Sequence, residues 1–498
     1  MAAPSSLRGL ARGVANSLLK RLRPNSMVVP LIVACALFMQ NLDTTIINTA
    51  LPSIADSFGE SPVRLSLAVT AYMLSLAVFI PISGWIADRY GAASVFRAAI
   101  GVFTIASMLC GLCDTLLELT AARVLQGIGG AMMVPVGRLV LLRSIDRSEL
   151  VRAISYLTTP AILGPILGPP VGGLIITYLS WRWVFFINLP IGVLGIVLVT
   201  LLIEDTKAEA PPPLDWMGFV LTGASLSCLM YGFELLAHPT AGARAIGVLL
   251  AVGAALGLFA VLHAQRHQQP LIDLTLLRIP TFSVSVSGGS VFRMTAGAMP
   301  FVMPLMLQVG FGMSAFGSGI ITFASGIGSL FNKMSTGPIL RRFGYRTVFI
   351  VNALIAAGFI GLCALFRPST PALVMFTVLL IGGFFRSLQF TALNSLAYAD
   401  VPAAQMSAAT SLSSMMQQLT NGMGIAFAAI VLHGAHLWRD GGDSQLATPD
   451  FQAALVIVTL LATTSILFFR QLAPTAGADV TGHHPAKPRA SLEEHAAD

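Results

Sequence analysis

The chain has 498 residues, 55% of them hydrophobic and only 10% charged. A soluble globular protein carries about 25% charged residues, so this composition excludes a surface that faces water throughout. The formal net charge of +7 would suit a nucleic-acid binder, but its concentration in alternate loops reads as membrane topology instead.

Residues 1–27 form a basic arm with Arg8, Arg12, Lys20, Arg21 and Arg23 and no acidic residue. Its composition resembles a mitochondrial transit peptide. Leu7, Leu10, Val14, Leu18 and Leu22 fall near helical spacing, and the reading adopted is an amphipathic segment on the inner leaflet that sets topology. Apolar runs then predict spans at 28–50, 63–83, 95–113, 118–142, 152–178, 183–203, 214–236, 243–263, 282–309, 316–337, 347–366, 371–398, 405–433 and 451–472, each near the ~20 residues that cross a bilayer as a helix. Fourteen spans put both termini on one side. The loops of that side carry Arg89 and Arg97, then Arg143, Arg147 and Arg152, then Arg266 and Arg278, then Arg341, Arg342 and Arg346. The opposite loops carry only Arg64, Arg182, Arg244, Arg367 and Arg439. Both termini are therefore expected in the cytoplasm. Residues 473–498, which include His483 and His484, read as a disordered cytoplasmic tail rather than a metal site.

An internal repeat organises the spans. Gly84-Trp85-Ile86-Ala87-Asp88-Arg89-Tyr90-Gly91 and Gly337-Pro338-Ile339-Leu340-Arg341-Arg342-Phe343-Gly344 share glycines, an arginine and an aromatic residue at one spacing, each after a span. The same offset carries span one onto span nine and span five onto span thirteen. The expected architecture is an all-α integral membrane protein with two homologous six-helix bundles, 28–203 and 282–472. A linker at 204–281 contributes two extra helices. Paired halves are common in secondary transporters, whose site lies between them at the midplane.

At these residues a family resemblance becomes visible. LDTTIINTALPSIA at 42–55, GWIADRYG at 84–91, ARVLQGIGGAMMVPVGR at 122–138, GPILGPPVGG at 164–173 and WRWVFFINLPIG at 181–192 resemble the major facilitator superfamily. Within it they are similar to the fourteen-span drug:proton antiporters of the EmrB/QacA type, and nearest to the MdtD-like exporter group. The resemblance covers nearly the whole chain. Ala92 and Ala93 depart from it, because the family's loop usually continues with basic residues.

Asp43 is the first candidate for chemistry. A carboxylate inside an apolar span costs roughly 3 kcal/mol even on the mildest scale, which makes it a functional hypothesis by default. Span one runs outward and places Asp43 ~24 Å along it, whereas span four runs inward and places Arg123 ~8 Å below its outer end. Both fall in the outer third of a ~30 Å core. Arg123 can hold Asp43 ionised while a proton competes for it, or the two can form a static pair that fixes helix packing. The resemblance places Arg123 in the motif tied to proton transfer.

In span five, Gly164, Pro165, Gly168, Pro169, Gly172 and Gly173 permit close helix approach and bending. The resemblance makes this the antiporter motif, which limits leak between access states. Gly84, Asp88, Arg89 and Gly91 are expected to form a gating loop. Arg293 and Arg386 lie near mid-membrane, with no Asp or Glu deep in spans nine to fourteen. With Gln389, Asn394, Gln417, Gln418 and Asn421 they predict a substrate cavity suited to neutral or anionic solutes, while backbone carbonyls at packing sites are the plainer use of the arginines. Methionines 132, 133, 294, 299, 303, 306, 415 and 416 are candidate adaptable lining. Cys110 and Cys113 read as packing residues.

No phosphate-cradling loop supports ATP drive, and no enzyme activity, cofactor or metal is expected. The function expected is a proton-coupled efflux transporter for small organic solutes in a bacterial inner membrane, with multidrug export as what the family implies. A dedicated exporter of an anionic metabolite, such as a carboxylate or metal chelate, is one alternative. A non-transporting receptor or regulator is another. The expected partners are a small organic substrate, protons and the lipid bilayer, with no nucleic acid. The chain is expected to act as a monomer, and a periplasmic adaptor with an outer-membrane channel stays open.

Overall fold

The structure is a computed structural model that describes residues 28–60, 62–205, 213–237, 242–440 and 446–482. The basic arm 1–27 and the pair His483 and His484 lie outside the described residues. Lipid offers backbone groups no hydrogen-bond partner, which leaves helices and closed barrels as the spanning structures. Every regular element among the described residues is helical.

In chain order the first half contains α1 (Val28–Phe58), α2 (Pro62–Phe79), α3 (Ala92–Leu112), α4 (Leu116–Ser144), α5 (Leu150–Tyr178) and α6 (Asn188–Leu202). The insertion contains α7 (Trp216–Ala237) and α8 (Ala243–Arg266). In the second half α9 (Pro280–Leu305) is followed by one continuous helix, Ala315–Cys363, broken at Gly344 (φ 70°). We treat its two arms as α10 (315–343) and α11 (345–363). The chain then forms α12 (Ala372–Leu396), α13 (Met406–Asp440) and α14 (Thr448–Phe469). Fourteen helical segments can thus be followed, and among the described residues 11 helical stretches are long and apolar enough to cross a membrane, or up to 12 if the bent pair Leu67–Phe79 and Ser83–Tyr90 is one span.

The ends are set by local chemistry. Thr115 accepts from the Glu118 amide, and the Glu118 carboxylate accepts from the Asp114 amide at 3.0 Å, so two orphan donors at the start of α4 are satisfied reciprocally. Pro300 and Pro304 interrupt the ladder of α9, which ends in a π turn at Met306–Gly310, the usual relief for lost hydrogen bonds.

The packing repeats between halves. α1 pairs with α5, α2 with α4 and α3 with α6; α9 pairs with α13, α10 with α12 and α11 with α14. The second set is the first shifted by eight helices. Glycines set the distances: Gly328 and Gly383 bring α10 and α12 into backbone contact, and Gly424 does the same for α13 against α9. The halves meet where α5 packs on α10 and α12, and where α13 packs on α4. In the insertion, α7 leans on α2 and α13, and Ser225 on α7 donates to the Gly253 carbonyl of α8 at 2.8 Å.

Two expectations change. The motif 84–91 is not an open loop: its residues up to Tyr90 form a short helix, Ser83–Tyr90, bent 60° from Leu67–Phe79. The disordered tail cannot begin at 473. Residues 473–482 turn back into the short helix Ala478–Thr481, with Val480 and Thr481 buried and Gly477 (φ 67°) seated on the Tyr345 ring. This segment touches both α5 and the α10–α11 helix. Its apolar Val480 has a protein surface to cover, which composition alone does not reveal.

Candidate functional site

Asp43 and Arg123 meet. The Arg123 Nη1 donates to Asp43 Oδ2 at 2.6 Å, and both side chains are almost fully buried. Two groups absent from the sequence reading complete the cluster. Gln126, one turn along α4, donates to Asp43 Oδ1 at 2.9 Å and accepts from Arg123 Nη1 at 2.6 Å. Asn188, at the start of α6, donates to the same Oδ1 at 3.0 Å and to Ser107 of α3 at 2.9 Å. Tyr72 of α2 lies under the guanidinium, 4.4 Å from its ring centroid. One carboxylate therefore ties together α1, α4 and α6. Removing the arginine would leave an uncompensated buried charge, a loss of roughly 3–5 kcal/mol. Cys110 packs here too, its sulfur 3.8 Å from Gln126 Oε1, and all five cysteines are free.

Beside the cluster, between the halves, is a central cavity of about 1230 Å³. Gln40 and Tyr72 stand on its wall, with Asn41 and Thr44 from α1. Of the expected cavity residues, Arg386, Gln417, Gln418 and Asn421 line it. Arg386 is steadied by Ser325 at 3.1 Å.

Arg293, Gln389 and Asn394 do not line it. Arg293 is buried behind Phe390, 5.7 Å from the ring, with its Nη1 3.5 Å from the Ser285 carbonyl. Its Nε and Nη2 have no hydrogen-bond partner among the described residues. Gln389 is spent on packing: it accepts from Asn352 of α11 at 2.7 Å. Asn394 donates to the Phe390 carbonyl within its own helix. None of the eight candidate methionines lines the cavity, whose lining includes Met73 instead.

Two lining cations escape the sequence reading. Arg138 of α4 reaches across to the second half, donating to Tyr398 at 3.1 Å and Gln417 at 3.3 Å. Lys333 of α10 lies 3.3 Å from Thr391. A signal exists, since both fall within predicted spans, but each sits near a span end and reads as interfacial. Among the described residues the cavity lining holds three cations and no carboxylate. Ser414 Oγ and Gln417 Nε2 lack partners there, which leaves hydrogen-bonding capacity for a guest.

The span-five glycines form a seam against α1. A Cβ on Gly164 would meet Asn41 at 2.8 Å, one on Gly168 would collide with Thr45, and one on Gly172 with Thr49. The residues on each side are four apart, which puts them on one helix face. Thr45 also donates to the Gly164 carbonyl at 3.3 Å. Gly173 faces away, with nothing within 4 Å of a Cβ. Pro165 and Pro169 share this helix, but their side chains lie outside the described residues.

The 84–91 motif clasps one end of the bundle. Asp88 pairs with Arg143 at 2.8 Å and accepts from Ser407 of α13, while Ser83 meets Ser411 at 3.0 Å. Gly84 lets the short helix sit directly on α13, because a Cβ there would meet the Ser407 carbonyl at 2.7 Å. Gly91 (φ 95°) ends it, with Asp205 capping the next helix through the Ala93 amide at 3.2 Å. Arg89 supplies a basic last turn. The halves are thus closed at this end.

A sequence model of the Major Facilitator Superfamily matches residues 33–425. The chain belongs to the major facilitator superfamily. Among relatives of this superfamily member, the MdtD protein of Escherichia coli O6:H1 (strain CFT073), named for multidrug resistance, is 37% identical over 446 residues, 88% of this chain and 93% of the relative. The MdtD of Salmonella heidelberg (strain SL476) is 38% identical over 451 residues with the same coverage. Among solved structures, the human organic anion transporter MFSD10 aligns with a TM-score of 0.63 at 14% identity, over 90% of this chain and all of that one. The proton:xylose symporter XylE aligns at 0.60 and 15%, over 91% and 97%. These two likenesses concern the fold of this superfamily member.

Proposed function

We propose that the protein is a proton-coupled multidrug efflux transporter of a bacterial inner membrane, with both termini in the cytoplasm. The observation that carries this reading is the Asp43–Arg123–Gln126–Asn188 cluster, one titratable carboxylate holding three helices beside a solute-sized cavity. With Asp43 ionised, Arg123, Gln126 and Asn188 fasten α1 to α4 and α6. A proton on Asp43 removes the charge that holds them, and α1 is then free to slide along the glycine seam of α5. The arginine-rich helix ends lie on the clasped side. By the positive-inside rule that side is cytoplasmic, and the closed clasp then belongs to the outward-facing state. Relatives named for multidrug resistance support the export direction.

The test uses everted membrane vesicles with an imposed pH gradient. Asp43→Asn keeps the size of the side chain, removes its charge and leaves one acceptor oxygen in place of two, and is expected to abolish pH-driven uptake of ethidium, while the folded protein remains in the membrane. Undiminished pH-driven uptake in that variant would sink the reading.

A second reading concerns the substrate. Arg138, Lys333 and Arg386 face the cavity with no lining carboxylate among the described residues, which favours solutes with anionic groups over dications, since an arginine holds a carboxylate bidentately. In vesicles, a dicarboxylate that competes with ethidium more strongly than a dication does would support it, and the reverse order would remove it. Work as a monomer is part of the proposal.

A further inference from the structure

At the base of the inserted hairpin, away from the cavity, three ligand-type side chains converge. Asp215 precedes α7, and His263 and His267 lie on the last turn and just past the end of α8. One ligand atom from each lies within 4.8 Å of the others. His263 Nε2 is 2.8 Å from Asp215 Oδ1, and the two imidazoles stand 5.1 Å apart. Four-residue spacing puts both rings on one face of the chain. We propose that Asp215, His263 and His267 form a binding site for a divalent transition-metal ion such as zinc, which clips the inserted hairpin to the segment leading into α9.

The chemistry suits such an ion. Two imidazoles and one carboxylate are a common three-ligand set for zinc, with water in the fourth position of a tetrahedron, and imidazole selects transition metals over magnesium or calcium. Burial is graded: Asp215 is buried, His263 intermediate and His267 exposed. An ion can therefore enter from solvent, and the open face leaves room for water. The carboxylate is already oriented by protein: the Gly218 amide donates to Oδ1 at 2.8 Å and the Leu271 amide to Oδ2 at 3.1 Å. Such outer contacts fix the direction of a ligand and support its affinity. His267 Nδ1 accepts from the Gln269 amide at 3.2 Å, so ligation by this ring replaces that contact with the metal bond. Metal–ligand bonds of about 2.0–2.2 Å require the His263–Asp215 contact to widen as the metal replaces its shared proton, and His267 to swing toward that pair. Through Leu271 the site joins the hairpin to the chain that enters the second half.

The proposal stands apart from the transport reading, and its readout is binding. The full chain, without a polyhistidine tag and carrying His483→Ala and His484→Ala to remove the tail pair, would be stripped with chelator in lipid nanodiscs and titrated with zinc by equilibrium dialysis. About one zinc per chain is expected. Asp215→Asn, His263→Gln and His267→Gln retain hydrogen-bonding groups. Each is expected to weaken binding by more than the roughly 10–100-fold that follows loss of an outer-shell partner, while His433→Ala leaves it unchanged. Cobalt in the unmutated chain is expected to give the intense visible bands of a tetrahedral ion. No stoichiometric zinc, binding indifferent to His263→Gln and Asp215→Asn, or a weak octahedral cobalt spectrum would each overturn the site.

Discussion

The two halves share a helix pairing scheme but differ in how they treat charge near mid-membrane. In the first half the buried carboxylate Asp43 is matched by Arg123, with Gln126 and Asn188 around them, while Arg138 reaches the cavity with Tyr398 and Gln417 as its partners. In the second half Arg439 pairs with the buried Asp450 at 2.7 Å, but near mid-membrane Arg293 and Arg386 have a carbonyl and a hydroxyl as neighbours, and among the described residues no carboxylate lines the cavity. Even the related turns differ. Gly91 and Gly344 both take positive φ, yet the first turn presents Asp88 to Arg143 and Ser407 where its counterpart carries Arg341. Duplication preserved the backbone solution, because lipid permits few others, and left the side chains free to divide the work. The proposed division assigns the proton to the matched half and the solute's polar groups to the unmatched one.

The largest expected consequence of that difference is in stability. Arg123→Met leaves Asp43 buried without its counter-charge and is expected to destabilise by roughly 3–5 kcal/mol. Arg293→Met replaces a cation whose Nε and Nη2 have no partner among the described residues by an apolar chain of similar reach, and is expected to be neutral or stabilising. Denaturation of both variants in one lipid or detergent decides it. Equal losses would mean that the halves handle charge alike.

A smaller effect belongs to the seam beside Asp43. Gly168→Leu drives a side chain into Thr45, whereas Gly173→Leu meets nothing within 4 Å of its Cβ. Overpacking of this kind costs about 1–3 kcal/mol. Gly168→Leu is therefore expected to lower transport or to uncouple it from the proton, measured as proton leak in the absence of solute, and Gly173→Leu to behave as the parent. A silent Gly168→Leu would remove the close contact from the mechanism.

Depth and period are legible in the sequence. A helix rises a fixed distance per residue, so residue counting alone sets Asp43 and Arg123 at one level, and Gly164, Gly168 and Gly172 on one face. The Gly91 and Gly344 turns are legible as a repeat for the same reason. Azimuth is not legible. In a membrane span, lipid and protein neighbours are equally apolar, and the sequence does not mark which side of α12 looks inward. Hence Arg386 lines the cavity as its depth suggests, while Gln389, three residues on, bonds α11 instead. Gln126 and Asn188 escape a reading by depth because their partner lies on another helix. Arg138 and Lys333 escape it because charges near span ends read as interfacial until the bundle shows which of them a cavity reaches.

The finest test separates cations on the cavity wall from the one behind it. Arg386→Gln and Lys333→Gln each remove a charge that a guest would feel, whereas Arg293→Gln removes a charge screened from the cavity by Phe390. In a partly hydrated cavity one charge at contact range is worth about 1 kcal/mol, a several-fold change in relative transport. Efflux of a carboxylate-bearing dye and of a lipophilic cation would be measured side by side in each variant. The ratio of anion to cation efflux is expected to fall several-fold for Arg386→Gln and Lys333→Gln and to stay near the parent value for Arg293→Gln. If Arg293→Gln shifts the ratio as far as the other two, the cavity wall does not set selectivity and the field of the whole second half does. If none of the three shifts it, these cations are structural and the division of labour between halves reduces to the proton site alone.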